Sequence, residues 1–361
     1  MEKRVAIIGA SGIVGRALLE HLYESGVPVT GFSRRAPDLK GPKHVSLDLT
    51  DRDHCRAIVH AHMSDTTHVV YAALFEKPGL IQGWREEDQM QTNLSMLRNV
   101  VAPLLSLAPN LRHISLLQGT KAYGAHIMPM RIPGKEREPR VEHENFYWLQ
   151  EDYLKDLQTS RDFSLTIWRP QIIFGHALGA PMNMIAALGA YGALCAVKGE
   201  PLHYPGGPSG VMEAIDADLL ARAIASGFDN PAIENETFNI TNGDVFRWQD
   251  SWPAIAKHLH MDVGEPRKRL LSETCYNEIA WARVVDRFNL EHHTVRSLVG
   301  DSFHYADALF NTYRDEAPPP SIVSTIKLRQ AGFGDCIDTE EMFGRWFDKL
   351  RSLRLIPPAP A

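Results

Sequence analysis

Cysteine is scarce in this sequence and never paired. Cys55, Cys195, Cys275 and Cys336 stand singly, with no CxxC spacing. That pattern offers neither a disulfide framework nor a zinc ribbon, and reads as four reduced thiols in a cytoplasmic protein. Positive charge is not in excess either. The formal net charge is −6 with both signs mixed along the chain, which excludes the clustered Lys/Arg footprint of a nucleic-acid binder. Long hydrophobic runs are missing as well. Val5 to Ile8 is too short for a signal peptide, and the most apolar later stretch, Ile185 to Val197, is broken by glycines. It falls short of the ~20 apolar residues of a membrane span. His54, Cys55, His60 and His62 sit in a helix-like segment that spreads them over different faces, so no metal is expected there. The His292-His293 pair adds nothing to that. No internal repeat is present.

What is present is an α/β pattern. Val5 to Ile8, Pro28 to Phe32, His44 to Leu47, His68 to Ala72, His113 to Leu117 and Ser164 to Trp168 are short β-rich runs. Helical patterns alternate with them: Ile13 to Leu22, Arg52 to His62, Glu87 to Leu107, and one starting near Tyr147. Strands alternating with crossover helices predict a doubly wound parallel sheet of the Rossmann type. This domain is expected over residues 1–178, with returning segments around 210–240. After Pro170 the regularity degrades into loops and short helices. Residues 179–361 are therefore expected to form a smaller, mainly helical substrate lobe, whose many aromatics suit an apolar small-molecule pocket or simply fill a core.

The loop between the first strand and first helix carries Gly9, Ser11, Gly12, Ile13, Val14 and Gly15. Gly9 allows the tight turn, Gly12 lets the backbone approach a pyrophosphate, and Gly15 permits close helix–sheet packing. The helix N-terminus then offers N–H groups and partial positive charge to phosphates. At the end of the second strand an NAD-binding enzyme usually places an acid for the ribose hydroxyls. Here the residues are Ser33-Arg34-Arg35. Guanidinium groups pair with a 2′-phosphate, each charge-assisted bond being worth roughly 1.5–3 kcal/mol, so NADPH is the expected cofactor. Asp48, followed by Leu49, is either a partner for the adenine amino group or a turn cap. Ala72 and Ala73 are small enough to admit the cofactor ribose, and Pro170 and Ile172 fall where this fold meets the nicotinamide. Asn93, inside the long helix, reads as structural.

Short-chain dehydrogenases carry Tyr-x-x-x-Lys after the fifth strand, and this chain does not. Four residues beyond Tyr147 stands Glu151. A lysine occurs instead in the loop Gln118-Gly119-Thr120-Lys121-Ala122-Tyr123-Gly124. With this displaced lysine, Asn145-Phe146-Tyr147, Trp168-Arg169-Pro170 and the Ala331-Gly332-Phe333 to Trp346 ending, nearly the whole chain resembles the progesterone 5β-reductase/iridoid synthase-like enone reductases, a divergent branch of the extended short-chain dehydrogenases. Two departures are visible. Trp148 replaces the family's common second tyrosine, and Gln118-Gly119-Thr120 varies its usual loop.

The resemblance implies NADPH-dependent 1,4-reduction of the C=C bond of an activated enone or enal, a small apolar substrate. Hydride would pass to the β-carbon while Tyr147 hydrogen-bonds the carbonyl oxygen. Lys121 would favour the developing charge and depress the tyrosine pKa, with Gln118 and Thr120 beside the cofactor. A carbonyl reductase or epimerase on the same fold, and a non-catalytic NADP-binding regulator, are the alternatives. A homodimer is the fold-level expectation.

Overall fold

Seven parallel strands carry the molecule, one more than the six runs of the first half. Residues 2–78, 80, 83, 86–291 and 294–360 are described by a computed structural model; the His292-His293 pair lies outside them. The elements alternate as β1 (Val5–Ile8), α1 (Ile13–Glu24), β2 (Val29–Ser33), β3 (Lys43–Ser46), α2 (Arg52–His62), β4 (His68–Tyr71), α3 (Glu87–Leu107), β5 (His113–Leu117), α4 (Phe146–Gln158) and β6 (Ser164–Pro170). Then follow β7 (Ile172–Phe174), α5 (Met184–Lys198), β8 (Leu202–His203), β9 (Ala214–Asp216), α6 (Ala217–Ser226) and β10 (Thr237–Ile240). The remainder is α7 (Trp248–His258), β11 (Val263–Gly264), α8 (Leu271–Thr274), α9 (Glu278–Phe288), α10 (Val295–Val299), α11 (Ser302–Leu309), α12 (Ile326–Gln330) and α13 (Thr339–Ser352).

The large sheet runs β10-β6-β5-β4-β1-β2-β3, and all its pairings are parallel. Strand β1 is buried on both faces, as a strand covered by helices on both sides must be. Its Val5 and Ile7 face a cluster shared with α1, α6 and the C-terminal segments. Ala6 and Ile8 face a second cluster shared with α2, α3 and α4. The chain runs outward from β1 to β3, then returns to β4 on the other side of β1. Ligands of open α/β sheets bind at the carboxyl ends of the strands at such a reversal.

The apolar stretch over 185–197 becomes α5, a buried helix rather than a loop. A Cβ at Gly189 would meet Ile356 at 2.8 Å, and one at Gly192 would meet Leu259 at 2.9 Å, so these glycines let α5 pack at close range. Most C-terminal aromatics also turn out to be core. Trp248 lies edge-on to Phe310 at 4.9 Å and to Phe246 at 5.1 Å between ring centroids, and Phe174 meets Phe343 at 5.2 Å. Among the aromatics of this lobe, Trp248, Trp252, Trp281, Phe303 and Phe310 are fully buried.

Candidate active site

The glycine loop sits at the β1/β4 reversal, and its shape follows from crowding. Gly9 has φ +95°, and a Cβ there would lie 2.7 Å from Ala73 N and 2.8 Å from the Ala72 carbonyl. A Cβ on Gly15 would lie 2.2 Å from the Gly9 oxygen. Loop, first helix and the Ala72-Ala73 segment thus interlock without side chains between them. Gly12 differs, since its Cβ direction meets only Gly9 O, at 3.4 Å. Gly12 is also the N-cap of α1 and supplies no side-chain cap. The first N–H groups of the helix therefore face an open cradle of the kind that takes a pyrophosphate. Ser11, Gly12, Ile13, Ala72, Ala73, Thr120 and Ile172 all keep partial exposure, whereas Val14 and Gly15 are buried. The residues fit a nicotinamide dinucleotide.

At the end of β2 the Ser33 hydroxyl donates to the Arg35 carbonyl at 2.7 Å and lies 3.1 Å from His44 Nε2. Ser33 thus shapes the turn. That turn presents Arg34 and Arg35, both exposed. Arg35 Nη2 approaches the Leu178 carbonyl at 3.4 Å. Asp48 takes the turn-cap alternative: its Oδ1 accepts from Thr50 N at 2.9 Å and Thr50 Oγ1 at 2.7 Å. Leu49 is buried, and its carbonyl accepts from Asn99 at 2.8 Å.

Tyr147 and Lys121 come from neighbouring elements. Asn145 caps α4, accepting from Tyr147 N at 3.0 Å, which places the tyrosine in the first helical turn. Lys121 lies in a single 3-10 turn, Thr120–Tyr123, capped by Gly119. A Cβ on Gly119 would lie 3.2 Å from Tyr147 Oη and 3.5 Å from the Pro170 carbonyl. The absence of a side chain there brings the phenol against the loop that carries Lys121. Burial pushes the Tyr147 phenol above its ordinary range, Glu76 and Tyr305 add to the rise, and Arg169 opposes it. Burial pushes the Lys121 amine down to about 8, with the Glu76 carboxylate opposing. This corrects the implied depression of the tyrosine pKa by lysine. Burial outweighs any lysine effect, so the phenol keeps its proton at neutral pH.

Of the residues of the site, Glu76 escapes the sequence reading, and Tyr305 enters it only among the aromatics of the C-terminal lobe. Tyr305 sits on α11, and burial with Glu76 raises its phenol too. Glu76 lies on the segment after β4, held by amides on the buried face of α3. Asn93 accepts from Phe75 N at 2.9 Å and donates to Phe75 O at 3.0 Å. Gln89 donates to Glu76 Oε2 at 2.8 Å and accepts from Lys77 N at 3.1 Å. A signal existed: Gln89, Asn93, Leu97, Val100 and Leu104 share one helical face, and amides on an apolar face must bond to something.

One expectation changes. Gln118, expected at the cofactor, is buried and its amide is committed to protein: it donates to Glu151 Oε2 at 2.8 Å and accepts from Arg169 Nε at 2.9 Å. Trp148, which stands where the family has its second tyrosine, is buried. Arg140 and Arg169 approach its ring centroid at 4.6 Å and 5.6 Å, both as cation–π contacts.

Residues 5–241 match the NAD dependent epimerase/dehydratase family. The chain belongs to that family. It is 30% identical over 381 residues to a 3-oxo-Delta(4,5)-steroid 5-beta-reductase from Arabidopsis thaliana, covering 99% of this chain and 94% of the relative. It is 29% identical over 376 residues to an (S)-8-oxocitronellyl enol synthase from Antirrhinum majus, covering 97% and 92%. These full-length matches make it an oxidoreductase of the progesterone 5β-reductase/iridoid synthase-like branch. The fold is shared with a UDP-glucose 4-epimerase from Bifidobacterium longum in complex with NAD+ and UDP, at a TM-score of 0.68 and 13% identity, covering 98% and 99% of the two chains. No helix among the described residues is long and apolar enough to cross a membrane.

Proposed function

We propose that this chain is an NADPH-dependent reductase that saturates the C=C bond of a small, uncharged α,β-unsaturated ketone or aldehyde. The observation that carries the reading is a half-buried Tyr147 phenol that keeps its proton and lies against Gly119, in the β5 loop that carries Lys121. The position four residues beyond the tyrosine is taken by Glu151, whose carboxylate is bound elsewhere. Both relatives' names point to a carbonyl-conjugated carbon skeleton, one reduced next to a 3-oxo group and one yielding an enol.

The glycine cradle and α1 N-terminus would hold the dinucleotide's phosphates, and Arg34 and Arg35 would favour a 2′-phosphate over a ribose hydroxyl. When bound, the reduced dinucleotide supplies a hydride for the substrate's β-carbon. The protein's own part is electrostatic. Tyr147 donates a hydrogen bond from Oη to the substrate oxygen, and that bond strengthens as the oxygen becomes an enolate. Lys121, charged below about pH 8, stabilises the same developing charge. Glu76 adds negative potential to the cleft, which disfavours an anionic substrate.

Product analysis with 4-deuterated NADPH and a panel of enones tests the reading. Label at the β-carbon is expected. Label at a carbinol carbon would make the enzyme a carbonyl reductase, and NADPH binding without turnover of any enone would make it a non-catalytic binder.

A further inference from the structure

Glu151 occupies the offset at which related enzymes place a lysine, and it is 3% exposed. A carboxylate taken out of water costs several kcal/mol unless its oxygens are bonded. Both are. Oε1 meets Lys155 Nζ at 2.6 Å and Arg140 Nη2 at 2.8 Å. Oε2 accepts from Gln118 Nε2 at 2.8 Å and lies 3.9 Å from Arg169 Nη2. Burial pushes this carboxyl up, and the bonds from Lys155, Arg140 and Gln118 more than reverse it, so it is a fixed anion.

Gln118 is the outlet of this cluster. Its backbone N donates to Trp168 O at 2.8 Å, its Oε1 accepts from Arg169 Nε at 2.9 Å, and its Nε2 also lies 3.5 Å from the Tyr147 carbonyl. Three residues later the chain reaches Lys121. Between them Gly119 passes so near Tyr147 Oη that a methyl group would sit at 3.2 Å. A loop running that close to a phenol has little freedom to drift without changing the phenol–amine geometry.

We propose that Glu151 is a positioning residue: through the Gln118 side-chain amide its carboxylate fixes the 119–121 loop against Tyr147, and so sets where Lys121 stands relative to the phenol. The activity consequence rests on the enone-reductase reading; the placement of Lys121 does not. The arrangement also accounts for the acid at this offset. With the amine moved to the β5 loop, the helix must hold that loop instead of supplying the amine.

The test compares E151A, Q118L and the E151A/Q118L double variant in the full chain, with E151Q as the isosteric version should E151A fail to fold. Competitive acetylation with acetic anhydride over a pH series, read by peptide mass spectrometry, follows Lys121 itself. Its titration midpoint is expected near 8 in the native chain. In the variants it should rise toward the ordinary lysine value of about 10.4 as the loop opens to water. Turnover of an α,β-unsaturated ketone should fall about 10- to 100-fold, the scale of a 1 Å misplacement, with NADPH affinity within about twofold. The double variant should lose no more than the worse single, because both break one link. An unchanged Lys121 midpoint in folded E151Q and Q118L would overturn the proposal, and so would additive losses in the double variant. If the native chain turns over no enone, the functional reading fails, and the acetylation result still decides this one.

Discussion

At the β1 end of the cleft, Gly9, Gly15 and the Ala72-Ala73 backbone meet so closely that a single methyl group would collide. At the β5 end, Tyr147, Lys121, Glu76 and Tyr305 gather ionisable groups in a largely buried space, where burial shifts the two phenols up and the amine down. The first end is a matter of room and is rigid because nothing can be added. The second is a matter of charge, held in place by surrounding amides and ion pairs. A cofactor needs the first kind of site, since its phosphates are recognised by backbone. A developing enolate needs the second, since only preorganised dipoles and charges act on it.

The sharpest way to separate the two ends is Tyr147→Phe. Losing the phenol proposed to bond the substrate oxygen should lower turnover by about 10²–10³, or ~3–4 kcal/mol, and leave NADPH affinity unchanged. Steady-state kinetics and a fluorescence titration of NADPH check both halves. A loss below tenfold would mean that the β5 end does not act through this phenol.

Next in size is the contrast between Gly15→Ala and Gly12→Ala. The first forces a methyl to 2.2 Å from a backbone oxygen and should cost about 3 kcal/mol of stability. The second has space in the protein and should stay within about 1 kcal/mol of the native stability, while weakening binding of the proposed dinucleotide. Denaturant unfolding with and without NADPH reads both. Equal destabilisation by the two would break the idea that Gly12 alone is kept for the ligand.

Smaller again is the joint change Arg34→Ala with Arg35→Ala. Both side chains are exposed, so their charge is partly screened and the effect should be about 10- to 100-fold on NADPH affinity, with NADH little changed. Native NADH and NADPH affinities that are equal would refute the arginine argument.

How much of this was legible in the sequence follows the same division. Strand β1, the glycine loop, α1 and the arginine turn are local in the chain, so residue type and spacing reveal them. Glu236 to Ile240 reads as strand-like from sequence, but the place of β10 beside β6 as the sheet's seventh strand is a tertiary fact. Tyr147 and Lys121 were found through resemblance and not through spacing, because the offset that normally links them is broken. Glu76 had no signature beyond the amides on the apolar face of α3, and Tyr305 had none. One sits in an irregular segment and the other among aromatics that mostly fill the core, and only the packing of α3 and α11 brings them to the cleft. The Gln118–Glu151 bond was invisible for a similar reason, as a buried amide's partner cannot be read from its neighbours in sequence.

Lys121 offers the finest test, because the two ends should differ in the sign of their effect on stability. Every contact at the glycine loop supports the fold, whereas a buried ammonium burdens it. The amine titrates near 8 when folded and at about 10.4 when unfolded. Below pH 8 both states carry the proton, and the folded state bears the full desolvation cost. Between those values the unfolded chain binds more protons, so stability rises with pH by linkage. Lys121→Met should therefore stabilise the protein near pH 7, by on the order of 1–2 kcal/mol once partial exposure is allowed for, even as it lowers turnover. The gain should shrink as pH rises toward 10, as denaturant midpoints of the two proteins at both pH values would show. A methionine variant that is less stable at neutral pH would mean that the amine is well compensated where it stands, and that the charged end of the cleft, like the glycine end, is built for stability first.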